Sequence, residues 1–305
     1  MKDRMPETIV IANPLAGRGR GRHAIPRVSD ILKQQGLDFN LVQTEYAGHA
    51  VELARLAVAE RYQTIVALGG DGTVHEVVNG VCADLGSDPN PAEVVKLGVI
   101  PAGSGNDFAY AVGLPPDVPR ACLRLANGQT RLVDMGRING RFFAYGVGIG
   151  FDAVVNVESR KIKRLRGVLL YLLSLLKVLV LHHKSYRVDI TFDDIHLEQQ
   201  AMMVSVANGQ RYGGMFLVTP DAEVDDGLLD LCIVSPISRL EMLRLVALVI
   251  KGSHTGERVV QMYRTKQVVV KAGGPLPSHV DGEIFGQNER QFEFSLLPKR
   301  LRVIC

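Results

Sequence analysis

The sequence predicts an α/β protein of two domains. The first is a three-layer N-terminal domain whose mainly parallel sheet lies between helices. The second is a mainly antiparallel β-sandwich domain, with a cleft between the two. Three observations carry this expectation. Over the first 135 or so residues, short apolar strands alternate with helical patterns, as in a parallel sheet covered on both faces. From about Gly136, strands separated by turn dipeptides take over. The chain also has 305 residues, 47% of them hydrophobic, enough to bury two cores.

Taken in order, Thr8 to Ala12 reads as a strand that ends in Asn13-Pro14 and a glycine-rich loop. Ile25, Val28, Ile31 and Leu32 then fall on one face of a helix stopped by Gly36. Phe39 to Thr44 reads as a strand and the alanine-rich run His49 to Ala59 as a helix. Thr64 to Leu68 is a strand closed by Gly69-Gly70, and Leu97 to Ile100 is another. Beyond Gly136 the expected strands include Arg187–Phe192, Ala201–Ala207, Leu228–Val234, Gln267–Val270 and Gln291–Leu296. Asn139-Gly140, Asn208-Gly209, Asp226-Gly227 and Asp281-Gly282 separate strands as turn signals. In this region helices are expected only at Val168–Leu181 and near Leu240–Ile250.

Composition excludes several classes. Thirty-five basic against 32 acidic residues leave a net charge of only +3, and no lysine-rich tail or basic repeat marks a nucleic-acid binder. Cys82, Cys122, Cys232 and Cys305 stand far apart with no metal-ligand spacing, which suits a reducing cytosol. The opening MKDRMPETIVIANP holds too short an apolar run for a signal peptide. The stretch Val168–Leu181 falls short of the roughly 18–20 residues that span a bilayer, and Lys177 interrupts it.

The strongest local signal is Leu68-Gly69-Gly70-Asp71-Gly72-Thr73-Val74-His75-Glu76. A strand ends, glycines make a tight turn and a helix begins. Thr73 and Glu76 have the spacing of a capping box, with Val74, Val77, Val78 and Val81 as the buried stripe. Bare N–H groups at such a helix start suit a phosphate chain, and Asp71 suits a magnesium ion against it. The alternative is an ordinary turn with Asp71 as a turn residue. The Walker pattern GxxxxGK[ST] is absent. A second loop, Pro101-Ala102-Gly103-Ser104-Gly105-Asn106-Asp107-Phe108, offers a hydroxyl and small neighbours to a ribose or phosphate, while Asn106 and Asp107 read equally well as a helix cap. With Asn13-Pro14-Leu15-Ala16-Gly17-Arg18-Gly19, three glycine loops close consecutive strands, at the edge where open α/β sheets bind ligands.

In this order and spacing the three loops resemble the diacylglycerol kinase catalytic domain family, in its soluble bacterial branch. Gly148-Ile149-Gly150-Phe151-Asp152, the run Val224 to Asp230 and Val280-Asp281-Gly282-Glu283 fit later motifs of that family. The resemblance implies an ATP- and Mg2+-dependent lipid kinase, with a nucleotide-binding domain at 1–136, a lipid-substrate domain at 137–296 and a segment of about 297–305 returning to the first. It implies that Asn13, Thr44, Gly69, Gly70, Asp71, Gly72, Thr73, Glu76, Gly103, Ser104 and Asn106 serve ATP. Glu283 would take the proton of the lipid hydroxyl, with Asp71 beside it in the catalytic role. Asp226, with the backbone carbonyls of Glu223 and Leu228, would hold a second, structural magnesium.

Diacylglycerol is the default acceptor, with phosphatidylglycerol, a polyprenol or a sphingoid base as alternatives. NAD kinase and a non-catalytic nucleotide or lipid sensor are the remaining readings. Arg160, Lys161, Lys163, Arg164 and Arg166 precede the apolar helix Val168–Leu181, a pairing that suits transient contact with the anionic inner face of a membrane by a cytoplasmic protein. That helix equally suits packing on the β domain. A homodimer is possible.

Overall fold

The computed structural model describes residues 6–83, 95–162 and 167–305. They fall into two compact units, Met1–Met135 with Pro298–Cys305, and Gly136–Leu297.

In the first unit, β1 (Thr8–Ala12), α1 (Ala16–Gln34), β2 (Phe39–Gln43), α2 (His49–Ala59), β3 (Thr64–Gly69), α3 (Asp71–Cys82), β4 (Lys96–Pro101), α4 (Asp107–Ala111) and α5 (Val118–Asn127) follow in order. The strands pair in parallel as β2-β1-β3-β4, with Thr8 opposite both Phe39 and Thr64, and Thr64 opposite Lys96. Val10, Ala12, Val66, Leu68 and Ile100 form one face and pack with Val28 and Leu32 of α1 and Ala121, Cys122 and Leu125 of α5. The alternate residues Ile9, Ile11, Ile65 and Ala67 are buried too, so both faces are covered, as expected of a parallel sheet. α2 and α3 pack on each other, and they contact β1 and β3 respectively. Pro26 lies inside α1, beyond a first turn broken by Gly17, Arg18 and Gly19 in left-handed conformations.

The chain passes into the second unit along β5 (Thr130–Ile138). There follow β6 (Arg141–Phe143), β7 (Gly146–Gly150), α6 (Phe151–Lys161), α7 (Gly167–Leu181), β8 (Tyr186–Phe192), β9 (Ile195–Ala201), β10 (Met203–Ala207), β11 (Leu229–Val234), α8 (Arg239–Lys251), β12 (Val260–Thr265), β13 (Gln267–Val280) and β14 (Glu283–Ile304). The strands run β12-β11-β10-β7-β13-β14, antiparallel throughout. β13 is irregular between Lys271 and His279; its first half pairs with β8 and its last residues with β7. Val147, Ile149, Val206, Leu231, Val270, Val280, Phe292 and Phe294 lie in the enclosed core. The end of β14 returns to the first unit, where Arg302 and Val303 pair in parallel with Lys96 and Leu97 of β4.

Two features depart from the sequence reading. The turn-rich texture after Gly136 hides α6, whose NVESRK half is too polar to look like a buried helix. The short strands expected at Gln267–Val270 and Gln291–Leu296 are parts of two much longer ones, because bends let a strand continue past residues that break its alternation.

Candidate active site

Because β1 to β4 are parallel, Asn13, Thr44, Gly70 and Gly103 all follow carboxyl ends of neighbouring strands. The loops there are tied directly to each other. The Asn13 amide donates to the Thr73 hydroxyl at 3.0 Å, and its oxygen accepts the Leu15 N–H at 2.9 Å. The Thr44 N–H donates to the Ala12 carbonyl at 2.9 Å, and the Ala102 N–H to that of Gly69 at 2.7 Å. Gly70 and Gly103 touch backbone to backbone. A Cβ on Gly70 would stand 2.9 Å from the Gly103 Cα, and one on Gly103 only 2.4 Å from the Gly70 Cα. Asn106, itself left-handed, accepts the Gly103 N–H at 2.9 Å and so closes its own loop. Arg20 of α1, which no motif in the sequence marks, donates to the Gly103 carbonyl and, at 3.4 Å, to the Ser104 hydroxyl.

Asp71 lies in the first turn of α3, yet its carboxylate serves α4. It accepts the N–H of Asn106 at 2.7 Å, of Asp107 at 2.6 Å and of Phe108 at 3.3 Å. Those are the donors a helix start leaves unpaired. The cap is thus supplied from the first loop and not by the side chain of Asn106. The Asp107 carboxylate is brought alongside: a Cβ on Gly105 would sit 2.8 Å from Asp71 Oδ2 and 3.1 Å from Asp107 Oδ2. Asp107 is only 2% exposed. Two hard oxygen donors around one small cradle fit a magnesium ion in chemistry.

The expected capping box does not form. α3 starts at Gly70 with no side-chain cap. Thr73 receives Asn13, and the Glu76 carboxylate accepts the N–H of Gly48 at 2.9 Å and of Ala50 at 3.1 Å, capping α2. α2 begins at a left-handed glycine and has no cap of its own, so an acid on the adjacent helix meets its positive end.

In the second unit, Asp281 and Gly282 form the two-residue turn between β13 and β14, both left-handed, as their sequence predicts. The buried Asp281 carboxylate accepts the N–H groups of Ala144, Tyr145 and Gly146 at 2.8, 3.0 and 3.0 Å. Glu283 opens β14, and its carboxylate pairs with Arg160 of α6 at 2.8 Å. Beneath the turn, the His279 imidazole meets Asp152 at 3.3 Å. Gly148 is required there, because its Cβ would fall 1.7 Å from Asp152 Oδ2 and 2.5 Å from His279 Nε2. The GIGFD run thus leaves room for the pairing of Asp152 with the buried His279.

Asp226, expected to hold a second magnesium with the carbonyls of Glu223 and Leu228, lies in the bend before β11. Asp226 Oδ1 accepts the Leu228 N–H at 2.9 Å, and Oδ2 is paired with the Arg264 guanidinium. Among the described residues no three His, Cys, Asp or Glu side chains gather as metal ligands. Arg264 also reaches Asp230, whose carboxyl burial pushes up to about 6.

α7 packs Leu175, Val178 and Leu179 inward and leaves Leu173, Leu176, Val180 and Leu181 outward, the last two 63% and 60% exposed. Arg239, at the start of α8, donates to the carbonyls of Leu179 and Val180, and Leu240 beside it is 78% exposed. No helix among the described residues is long and apolar enough to cross a membrane. Lys163, Arg164 and Arg166 lie outside the described residues.

Residues 7–138 match the family model of the diacylglycerol kinase catalytic domain, and residues 146–305 that of the YegS C-terminal NAD kinase beta sandwich-like domain. The diacylglycerol kinase of Bacillus subtilis (strain 168) is 31% identical, over 94% of this chain and 93% of its own. A solved structure from Bacillus anthracis str. Sterne superposes with a TM-score of 0.80 at 24% identity, covering 99% of this chain and 98% of that one. Yeast NADH kinase complexed with NADH superposes at 0.53 and 10% identity, over 99% and 83%. The last two likenesses speak to fold alone. A parallel α/β unit carrying this loop set, followed by an antiparallel β-sandwich, defines a kinase. The chain belongs to the diacylglycerol kinase catalytic domain family and is a lipid kinase of that type.

Proposed function

We propose that the chain transfers the γ-phosphoryl group of ATP to the hydroxyl of diacylglycerol, yielding phosphatidic acid and ADP. The observation that carries the reading is the Gly70–Gly103 contact beside the paired carboxylates of Asp71 and Asp107. Side-chain-free backbone at adjoining strand ends suits a triphosphate, and acids beside it suit its counterion. Asn13, Thr44, Gly69, Gly70, Gly72, Thr73, Gly103, Ser104 and Asn106 would line or shape the nucleotide site; Glu76 contributes by holding α2. Magnesium, when bound by Asp71 and Asp107, supplies charge neutralisation at the β and γ oxygens. Glu283 takes the acceptor hydroxyl proton as the oxygen bonds to phosphorus and the bond to the ADP oxygen breaks.

The test is labelled ATP supplied with mixed micelles of diacylglycerol, phosphatidylglycerol, a polyprenol or a sphingoid base, and separately with NAD. We expect label in phosphatidic acid. Label in another lipid would replace the acceptor and leave the lipid kinase standing. Label in NAD would favour the second reading, NAD kinase, which the match of residues 146–305 to the NAD kinase beta sandwich-like family keeps in view.

For the acceptor to be reached, we propose peripheral docking on the inner membrane face through the exposed side of α7 and the start of α8. Val180, Leu181 and Leu240 supply apolar surface, and Lys184 and Arg239 nearby supply cations. Anionic vesicles should capture the protein at low salt, and Leu240→Asp should weaken capture. Indifference to lipid charge, salt and this substitution would remove the docking surface.

A further inference from the structure

We infer that Arg160 is the positioning residue for Glu283, a guanidinium clamp from α6 that holds the Asp281–Glu283 turn and the Glu283 carboxylate in one arrangement. The inference rests on the reading of Glu283 as the base. Three hydrogen bonds into Asp281 fix the turn's backbone from beneath, but none of them reaches the Glu283 side chain. A half-exposed glutamate has three rotatable bonds, and ordering such a side chain costs conformational entropy. Something has to aim it.

Arg160 does so with a single nitrogen. Its Nη2 donates to the Gly282 carbonyl at 2.8 Å and to Glu283 Oε2 at 2.8 Å, tying the carboxylate to the backbone of its own turn. The guanidinium is braced in turn. Its Nε donates to Asn156 Oδ1 at 3.3 Å, and the Asn156 amide donates to the same Gly282 carbonyl at 2.7 Å. Asn156 and Arg160 are one helical turn apart on α6, so both project to the same side. The α6 helix begins at Gly150–Asp152, where Asp152 meets His279 of β13. Helix and turn are therefore joined at two places, by the part-buried Asp152–His279 pair and by the clamp.

The pair's side chains are 44% and 42% exposed, so it contributes little to stability. Its consequence lies in geometry, because a base misplaced by about 1 Å forfeits much of the rate. A guanidinium is suited to this where a lysine is less so: its planar fork serves the Glu283 carboxylate, the Gly282 carbonyl and Asn156 at once.

The experiment measures kcat and KM in diacylglycerol mixed micelles for Glu283→Gln, Arg160→Ala, Arg160→Lys and the double variant R160A/E283Q, with thermal unfolding of each. We expect E283Q to lower kcat by about a hundredfold or more. R160A should lower kcat by about tenfold while KM for ATP stays within about twofold, and R160K should recover part of the loss. R160A should cost nothing further in the E283Q background, because the group it aims is gone. If R160A keeps full kcat while E283Q is inactive, the clamp is refuted and the base stands. If R160A lowers kcat by the same factor in the E283Q background as in the wild type, the clamp is also refuted. An active E283Q removes the base, and the clamp with it. Should R160A fail to fold, R160K and Asn156→Ala supply the same comparison.

Discussion

Asp71 accepts the backbone N–H of Asp107 at 2.6 Å, so an acid in the first turn of one helix caps the start of another. The two glycine loops are thereby built as one object. A residue placed for a metal by its sequence context is also a structural joint.

Asp71→Ala should therefore cost stability as well as activity. Three N–H donors lose one shared charged acceptor; a bond to a charged group contributes about 1.5–3 kcal/mol, and water reaching these part-buried donors keeps the total well below three times that. We expect a loss of about 2–3 kcal/mol in denaturant unfolding. Asp71→Asn should not restore it, because its amide would face one of the donors. Wild-type unfolding by either variant would show that the cap contributes nothing.

Gly103→Ala should damage the loop junction. Its Cβ would stand 2.4 Å from the Gly70 Cα, and backbone cannot swing aside as a side chain can. We expect destabilisation of about 1–3 kcal/mol and a large rise in the ATP dissociation constant. Calorimetric titration of the folded variant measures the second effect, and unchanged nucleotide affinity would contradict a site at this contact.

Asp230 gives the second unit a pH signature. Burial raises its carboxyl from 3.8 to about 6, against the lowering influence of Arg264. The folded state thus holds a proton that the unfolded chain releases. The associated stability is complete below pH about 4 and is lost as pH rises through about 6. Asp230→Asn removes the titration. The stability of wild type relative to this variant should fall between those two pH values, and a flat difference would overturn the assignment.

Three thiols should be unreactive in the native protein. Cys82 and Cys232 are pushed up to about 12 and Cys122 to about 11, chiefly by burial. Cys305 is only partly covered. A thiol reagent at pH 8 should modify one cysteine in buffer and four in denaturant; rapid labelling of all four in buffer would mean the cores open readily.

The parallel first unit was legible because its short apolar strands and glycine stops are local signals. The Asp281-Gly282 turn was legible for the same reason, its two left-handed residues demanding such a dipeptide. What escaped depends on distant partners. Thr73 and Glu76 have a capping-box spacing, but Asn13 and the start of α2, remote in sequence, claim their side chains. Asp107 reads as a cap until Asp71 takes that place. Arg160 looks like one more charge in a basic run, and only folding brings it to a glutamate more than a hundred residues away. Arg264 carries no local mark at all of its pairing with Asp226.

The parallel pairing of Arg302 and Val303 with Lys96 and Leu97 bears on how the molecule is made. As the ribosome works from one end, strand β4 emerges with a bare flank, and the stretch that covers it is synthesised only after the whole of the second unit. Until then an unpaired apolar rim is open to stray association. A chain halted just short of Pro298 would carry the first unit without the segment that borders β4.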